Sequence, residues 1–181
     1  MMRFQDSQTH ANLQTAYENE LSAAARYRLA ATQARQEGQI SVSGSFLIMS
    51  RHAMTHAALW QKRLLNGTCP NTMQNLRDAA QGEFGQWTWK YTSFAKTARQ
   101  EGYGELADLF ERLAEIACYH NVCLCRLADD LAGERMYHRE EDAVWLCLAC
   151  GYAHTGPAAP SQCPVCAKPK GWFEAMGEGF E

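Results

Sequence analysis

From about Thr9 to Leu131 the chain is rich in Ala, Leu, Gln, Glu and Arg, contains one proline, and is broken only by short Gly or Asn-Gly punctuations. That pattern predicts four long amphipathic helices packed as a bundle. The first runs from about His10 to Glu37 and ends at Gly38; the second runs from about Ser41 to Leu65, with Asn66-Gly67 as its C-cap. Cys69-Pro70-Asn71-Thr72 reads as a connector in which Thr72 N-caps a third helix, Met73 to Glu101, stopped by Gly102. The fourth runs from near Gly104 to Leu131 and is closed by Gly133. The period then disappears: the charged stretch before Asp142 reads as a linker, giving a bundle at 1–135, a linker at 136–142 and a small cysteine-rich domain at 143–181.

An internal repeat supports this layout. Ala34-Arg35-Gln36-Glu37-Gly38 recurs as Ala98-Arg99-Gln100-Glu101-Gly102, and at the same offset Ala53 maps to Ala117 and His56 to His120. The bundle therefore reads as two copies of one helical hairpin. Glu20 lies eighteen residues before Gly38, whereas Glu83 lies nineteen before Gly102. One extra residue in the third helix predicts a π-bulge, a feature found at functional sites in long helices.

The tail changes the picture. Cys147-x-x-Cys150 and Cys163-x-x-Cys166, about a dozen residues apart, place four thiolates for one tetrahedral ion, zinc or a single iron. The other cysteines, Cys69, Cys118, Cys123 and Cys125, suit a reducing compartment better than a disulfide framework. A net charge of −3 argues against a nucleic-acid partner, and the chain shows neither a signal-like start nor a membrane-spanning run. The expectation is a cytoplasmic protein.

The repeat sets Glu20 and Glu83 as equivalents, with His56 and His120 beside them, and two Glu with two His in a bundle core make a metal site. Apolar neighbours such as Leu113, Ile116, Leu124 and Leu127 would make these groups costly to bury unpaired.

Here the chain resembles the rubrerythrin family, which joins a ferritin-like di-iron bundle to a rubredoxin-like domain holding one iron on four cysteines. In the tail the resemblance runs through Val144 to Tyr152, His154, Gly156, Ala159-Pro160, Cys163 to Cys166, Pro169-Lys170 and Trp172 to Glu174. In the bundle it runs through Glu20 to Tyr27, Asn75-Leu76, Gly82-Glu83, Trp87, Tyr91, Phe94-Ala95-Lys96 and Glu101-Gly102. The resemblance implies an all-α four-helix ferritin-like bundle with a C-terminal four-cysteine domain, a homodimer, and a redox partner protein. It also implies electron transfer from the four-cysteine iron to a bundle metal that reduces peroxide. Tyr27 and Tyr91 match family tyrosines near the metal.

The departures fall on the bundle. Where the family has E-x-x-H on two helices, each Glu bridging the irons, this chain reads Ala53-Met54-Thr55-His56 and Ala117-Cys118-Tyr119-His120; a further family ligand is replaced by Gln86. Glu20, His56, Glu83 and His120 survive, offering a charge of about −2. Two divalent cations ~4 Å apart repel by roughly 16 kcal/mol at an effective dielectric near 20, and no bridging carboxylate offsets that. The expectation is one iron, manganese or zinc ion in the bundle, or none, and weak or lost peroxide reduction. Glu115 points away from the core; His52 and Cys123 are close enough in sequence to join an altered site, though each reads more simply as an ordinary residue. Trp60, Trp87, Trp89, Met49, Met54 and Met73 read as packing. In the second knuckle Ala167 stands where the family has glycine at positive φ. The alternative function is a non-enzymatic metal-binding protein, or an interaction protein bearing a zinc ribbon.

Overall fold

The computed structural model describes residues 3–176. It comprises α1 (Gln8–Gln36), α2 (Ile40–Leu64), α3 (Thr72–Gly85), a π-turn (Gln86–Lys90), α4 (Tyr91–Gln100) and α5 (Gly104–Ala132). Three strands follow, β1 (His138–Cys147), β2 (Ala153–Ala158) and β3 (Phe173–Ala175). By internal packing the chain forms two compact units, Met1–Cys69 and Pro70–Glu181. The first is the α1/α2 hairpin; the second holds the α3–α5 hairpin and the cysteine-rich domain.

Sequence punctuation explains the helix ends. Ser7 caps α1, its hydroxyl accepting from the His10 amide at 3.1 Å. Gly38 and Gly102, at φ 75° and 86°, close their helices with the same pair of bonds. Gln39 N donates to Ala34 O at 2.8 Å and Gly38 N to Arg35 O at 3.1 Å; Tyr103 N to Ala98 O at 2.8 Å and Gly102 N to Arg99 O at 3.2 Å repeat the arrangement. One cap differs from the sequence expectation. Asn71, not Thr72, caps α3, because its extended backbone lets the side chain accept from the Gln74 amide at 2.9 Å. Gly133 caps α5 as expected, followed by the left-handed Glu134 (φ 56°), and Arg135 N donates to Asp130 O at 2.8 Å.

Both hairpins are zipped by small residues. The α1/α2 seam buries Ala24, Ala31, Ala34, Ser43, Ser50, Ala53 and Ala57. In the second hairpin Ala95, Ala98, Ala107 and Ala117 are buried at the repeat-equivalent places. Small side chains let helix axes approach closely, and in α1/α2 the serines add bonds: Ser43 Oγ donates to Ala31 O at 2.8 Å and Ser50 Oγ to Ala24 O at 2.9 Å. The repeat also governs the aromatics. Tyr27 stacks on Phe46 with centroids 6.2 Å apart and planes at 25°, and Tyr91 on Phe110 at 6.1 Å and 29°. Seams this thin leave larger apolar side chains outside them, including Leu29, Ile48, Met49, Met54, Trp89, Ile116 and Leu127, all exposed. Met49, Met54 and Trp89, read from sequence as packing, therefore pack in neither seam.

The expected π-bulge is the Gln86–Lys90 turn, three residues past Glu83. α3, this turn and α4 form one continuous helix, since Gln86, Lys90 and Tyr91 keep right-handed helical backbone. The extra residue is taken up there, so that Glu83 keeps the repeat position of Glu20 while everything from Tyr91 onward keeps that of Tyr27 onward.

The stretch read as a linker is largely ordered. Arg135 donates from Nη2 to Asp129 O at 3.0 Å and from Nε to Asp130 at 3.2 Å, pinning the chain to the end of α5. Strand β1 begins at His138, paired with Ala158 of β2. The antiparallel sheet has the order β2-β1-β3 and covers a small core of Trp145, Cys147, Ala159, Cys163 and Phe173. Trp145 is fully buried, and its indole N–H donates to Gly156 O at 3.0 Å. Arg139 lies over its ring, 5.4 Å from the centroid.

Candidate metal centres

The four cysteines converge. Cys147 comes from the end of β1, Cys150 from the turn after it, and Cys163 and Cys166 from the loop before β3; their Sγ atoms all lie within 4.8 Å of one another. Cys147 and Cys166 are 3.7 Å apart, Cys150 and Cys163 3.6 Å. Metal–sulfur bonds of about 2.3 Å place the corners of a tetrahedron about 3.8 Å apart, so the donor set fits one tetrahedral ion.

The two knuckles have the same backbone. Gly151 N donates to Cys147 O and Cys147 N to Tyr152 O, each at 2.8 Å; Ala167 N donates to Cys163 O at 3.0 Å and Cys163 N to Lys168 O at 2.8 Å. Each turn closes on a left-handed residue, Gly151 at φ 78° and Ala167 at 57°. Alanine pays for that conformation with a Cβ clash that glycine avoids. Ala167→Gly is therefore expected to stabilise the loaded domain by about 1 kcal/mol, read as a higher melting temperature or slower metal loss. An unchanged or lower value would mean that the turn carries no such strain.

The thiols are polarised unequally. The Tyr152 backbone N–H favours the Cys150 thiolate, but loss of water and the neighbouring Cys166, Cys163 and Cys147 thiols push it up to about 12. Burial likewise opposes ionisation of Cys163, yet the backbone N–H groups of Cys166 and Val165, with the Cys166 and Cys150 side chains, bring it down to about 7. A site whose first thiolate is available near neutrality and whose last is not requires a cation to ionise all four.

The bundle candidates form two pairs, one in each unit. In the first, His56 Nδ1 lies 3.3 Å from Glu20 Oε1; in the second, His120 Nδ1 lies 3.6 Å from Glu83 Oε1. The imidazoles are about half exposed (53% and 52%) and the carboxylates about a third (30% and 32%). These are not sealed core residues. Each pair offers one carboxylate and one imidazole, a donor set suited to iron, manganese or zinc. Ala53 and Ala117, one turn before each histidine, are 4% and 3% exposed. No carboxylate replaces them on that turn, and Glu115 is exposed, as its position around the helix predicts.

Of the other candidates, His52 is exposed, and Cys123 is half-buried beside Tyr119, whose hydroxyl it holds above the ordinary range. Among the described residues, the four cysteines form the sole cluster of three or more metal-ligating side chains. Sequence reading missed the Arg135 and Arg139 contacts, which lie where no period gave a signal. It also took Trp87 as simple packing, whereas the Trp87 indole nitrogen is buried with no hydrogen-bond partner.

Comparison with known proteins gives concordant matches. Residues 74–145 match the family described as Rubrerythrin, and residues 145–174 the one described as Rubrerythrin, rubredoxin-like domain. A rubrerythrin of Nitratidesulfovibrio vulgaris is 34% identical, covering 98% of this chain and 98% of the relative. One of Porphyromonas gingivalis is 33% identical, covering 96% and 92%. A solved structure of nigerythrin in a partially reduced state aligns over 97% of this chain and 92% of its own, at 24% identity and a TM-score of 0.36.

Proposed function

The chain belongs to the rubrerythrin family of non-haem iron proteins, and from that premise we propose that it passes single electrons from iron on Cys147, Cys150, Cys163 and Cys166 to an altered bundle site, with peroxide reduction weak or lost. Its candidate ligands are the two Glu–His pairs, Glu20 with His56 in the first hairpin and Glu83 with His120 in the second. The observation that carries the reading is the pair of buried alanines, Ala53 and Ala117, at the places where the family's bridging glutamates stand.

When bound, iron on four thiolates supplies a one-electron ferric/ferrous couple. The chain's own part is to hold the thiolates at tetrahedral spacing and to direct backbone N–H groups at them. In the hairpins each Glu–His pair supplies one negative charge, so the four residues balance a single divalent ion. Reducing peroxide to two waters takes two electrons, and a site with charge for one metal is not built to deliver both together. The exposed apolar side chains outside the seams support a homodimer, since a patch of that kind is what an interface between copies covers. A redox protein that feeds the four-cysteine centre completes the proposal. No helix among the described residues is long and apolar enough to cross a membrane.

Metal analysis of the full chain, purified without added metal, tests the reading. One or two metal ions per chain, a red colour from ferric thiolate, and peroxide turnover far below that of a rubrerythrin with both bridging glutamates are expected. Three irons per chain, or comparable turnover, would overturn it. A colourless zinc-loaded protein would instead favour the zinc-ribbon function.

A further inference from the structure

The small C-terminal domain has few large apolar side chains, and it leaves several of them on its surface. Among the described residues after Gly133, Val144, Leu148, Val165 and Trp172 are exposed, and three of these four stand at the knuckles. Leu148 adjoins Cys147 and Val165 adjoins Cys166, two ligands whose Sγ atoms are 3.7 Å apart. Leu148 N donates to Trp172 O at 2.8 Å, which fixes Trp172 beside the first knuckle. Of the four ligands Cys150 is the exposed one. Apolar side chains clustered around a ligand that reaches the surface make a patch of the kind a transient partner covers.

The charge around the patch has one sign. From Ala143 to Phe173 there is no aspartate or glutamate, although the chain carries 20 acidic residues, and the cations there are Lys168 and Lys170. Lys168 Nζ lies 4.7 Å from the centroid of the Trp172 ring, so its ammonium sits on the patch itself. Among the described residues neither lysine is ion-paired with a carboxylate. The flanking acids stand elsewhere. Glu174 follows the buried Phe173 on β3 and lines the cleft toward α5 with Arg126 and Arg139. Glu140, Glu141 and Asp142 lie at least five residues up β1 from Cys147, roughly 16 Å of extended strand. Iron on four thiolates carries −1 when ferric and −2 when ferrous, so two lysines outweigh the centre before it takes up an electron and only balance it afterwards.

We propose that Leu148, Val165, Trp172 and Lys168 form the docking surface for an electron-donor protein whose own redox centre is ringed by carboxylates. This rests on the reading that the four-cysteine centre carries single electrons. The apolar side chains exclude water from the contact, while Lys168 and Lys170 steer and orient the acidic rim. One electron leaves the donor's reduced centre and is taken up by ferric iron, with no proton or bond exchanged. Reduction removes the excess positive charge, so the oxidised donor is released.

The test loads the full chain with Ga³⁺ on the four cysteines, a redox-silent ion of ferric charge. Oxidised plant-type ferredoxin, an acidic carrier, is titrated in at low salt and followed by nuclear magnetic resonance. Shifts are expected at Leu148, Val165, Lys168 and the Trp172 indole, with affinity falling as salt is added. Lys168→Glu and Trp172→Ala, both at surface positions, are expected to weaken binding about tenfold with bound metal unchanged. Lys90→Glu alters a like pair on the π-turn, its ammonium 5.5 Å from the Trp89 centroid, and is expected to leave affinity within about twofold. The zinc-loaded chain, more negative at its centre, is expected to bind a few-fold more weakly; equal affinity overturns the release step. Tighter binding of cytochrome c, a basic carrier, overturns the charge assignment. Absence of ferredoxin binding, shifts confined to the helices, or unchanged affinity in Lys168→Glu and Trp172→Ala overturns the docking surface. The iron-loaded chain separates this from the electron-transfer reading. Reduction by reduced ferredoxin that is as fast in Lys168→Glu as in the parent sinks the surface and keeps the reading; binding at the surface with no electron passed does the reverse.

Discussion

Replacing Ala53 and Ala117 by glutamate, together with Gln86→Glu, is expected to raise the bundle metal content from one ion to two per chain and to switch on peroxide turnover. The charge argument sets the direction. Three added carboxylates take the ligand set from about −2 to about −5, enough for two divalent ions, and two of them stand at the places where the family bridges its irons. The structure adds a cost that the sequence did not show. Ala53 and Ala117 lie in the thin helix seams, at 4% and 3% exposure, so an ionised glutamate there without metal is a buried, unpaired charge. Breaking a buried pair by removing one partner costs about 3–5 kcal/mol, and an uncompensated carboxylate in a seam belongs to the same class. The triple variant should therefore melt well below the parent when metal-free and regain that loss on loading. Single Ala53→Glu should pay the cost without gaining the second ion. Metal analysis and melting curves with and without metal decide the matter; one ion per chain in the triple variant would sink the charge argument.

The repeat made much of this legible. Ala34 to Gly38 and Ala98 to Gly102 carried not only helix ends but also packing: the same glycines close both hairpins with the same bonds, and the same Tyr–Phe stack recurs. The single-residue slip located the π-turn because a helix with a fixed face can absorb an extra residue in few other ways. The cysteine spacing located the tail site because two four-residue knuckles leave the backbone little choice. What was not legible depended on neighbours distant in sequence. Asn71 outcompeted Thr72 as a cap through its own backbone angle, which composition does not encode. The run before Asp142 looked like linker because its exposed acidic residues mask a strand whose pairing with β2 is long-range. Trp87 looked like packing because a sequence shows a large ring but not which end of it is buried.

The hairpins and the C-terminal domain are held together in different ways. The hairpins hold together through alanine seams, serine–carbonyl bonds and helix caps, none of which needs an ion. The C-terminal domain is built otherwise. Among the described residues its hydrophobic core has five buried members, and two of them, Cys147 and Cys163, belong to the metal-ligating cluster. That leaves Trp145, Ala159 and Phe173 as the fully buried non-ligand core of a sheet whose third strand has three residues. Domains below about 40 residues rarely stand without a metal or disulfides, and metal on such sites contributes on the order of 10 kcal/mol to folding.

Removing the metal with a chelator under reducing conditions is accordingly expected to unfold the segment around Trp145 while leaving most helical signal intact. Each knuckle then loses the cation that makes four close thiolates tolerable, and Ala167 loses the clamp that holds it left-handed. Trp145 reports the event directly, since its fully buried ring, bonded to Gly156 O and covered by Arg139, should become exposed and its emission shift to the red. Amide exchange should accelerate by several orders of magnitude in β1 and β3 and little in the α1/α2 hairpin. Cys163→Ser should reproduce the loss without chelator, because it removes at once a ligand and a buried core residue. Persistent protection of β1 and β3 in the metal-free protein would mean that the small core is self-sufficient and that the four cysteines serve electron transfer alone. Loss of protection would make the ion the domain's keystone, so that any oxidation or metal exchange that disturbs the thiolates would also undo its fold.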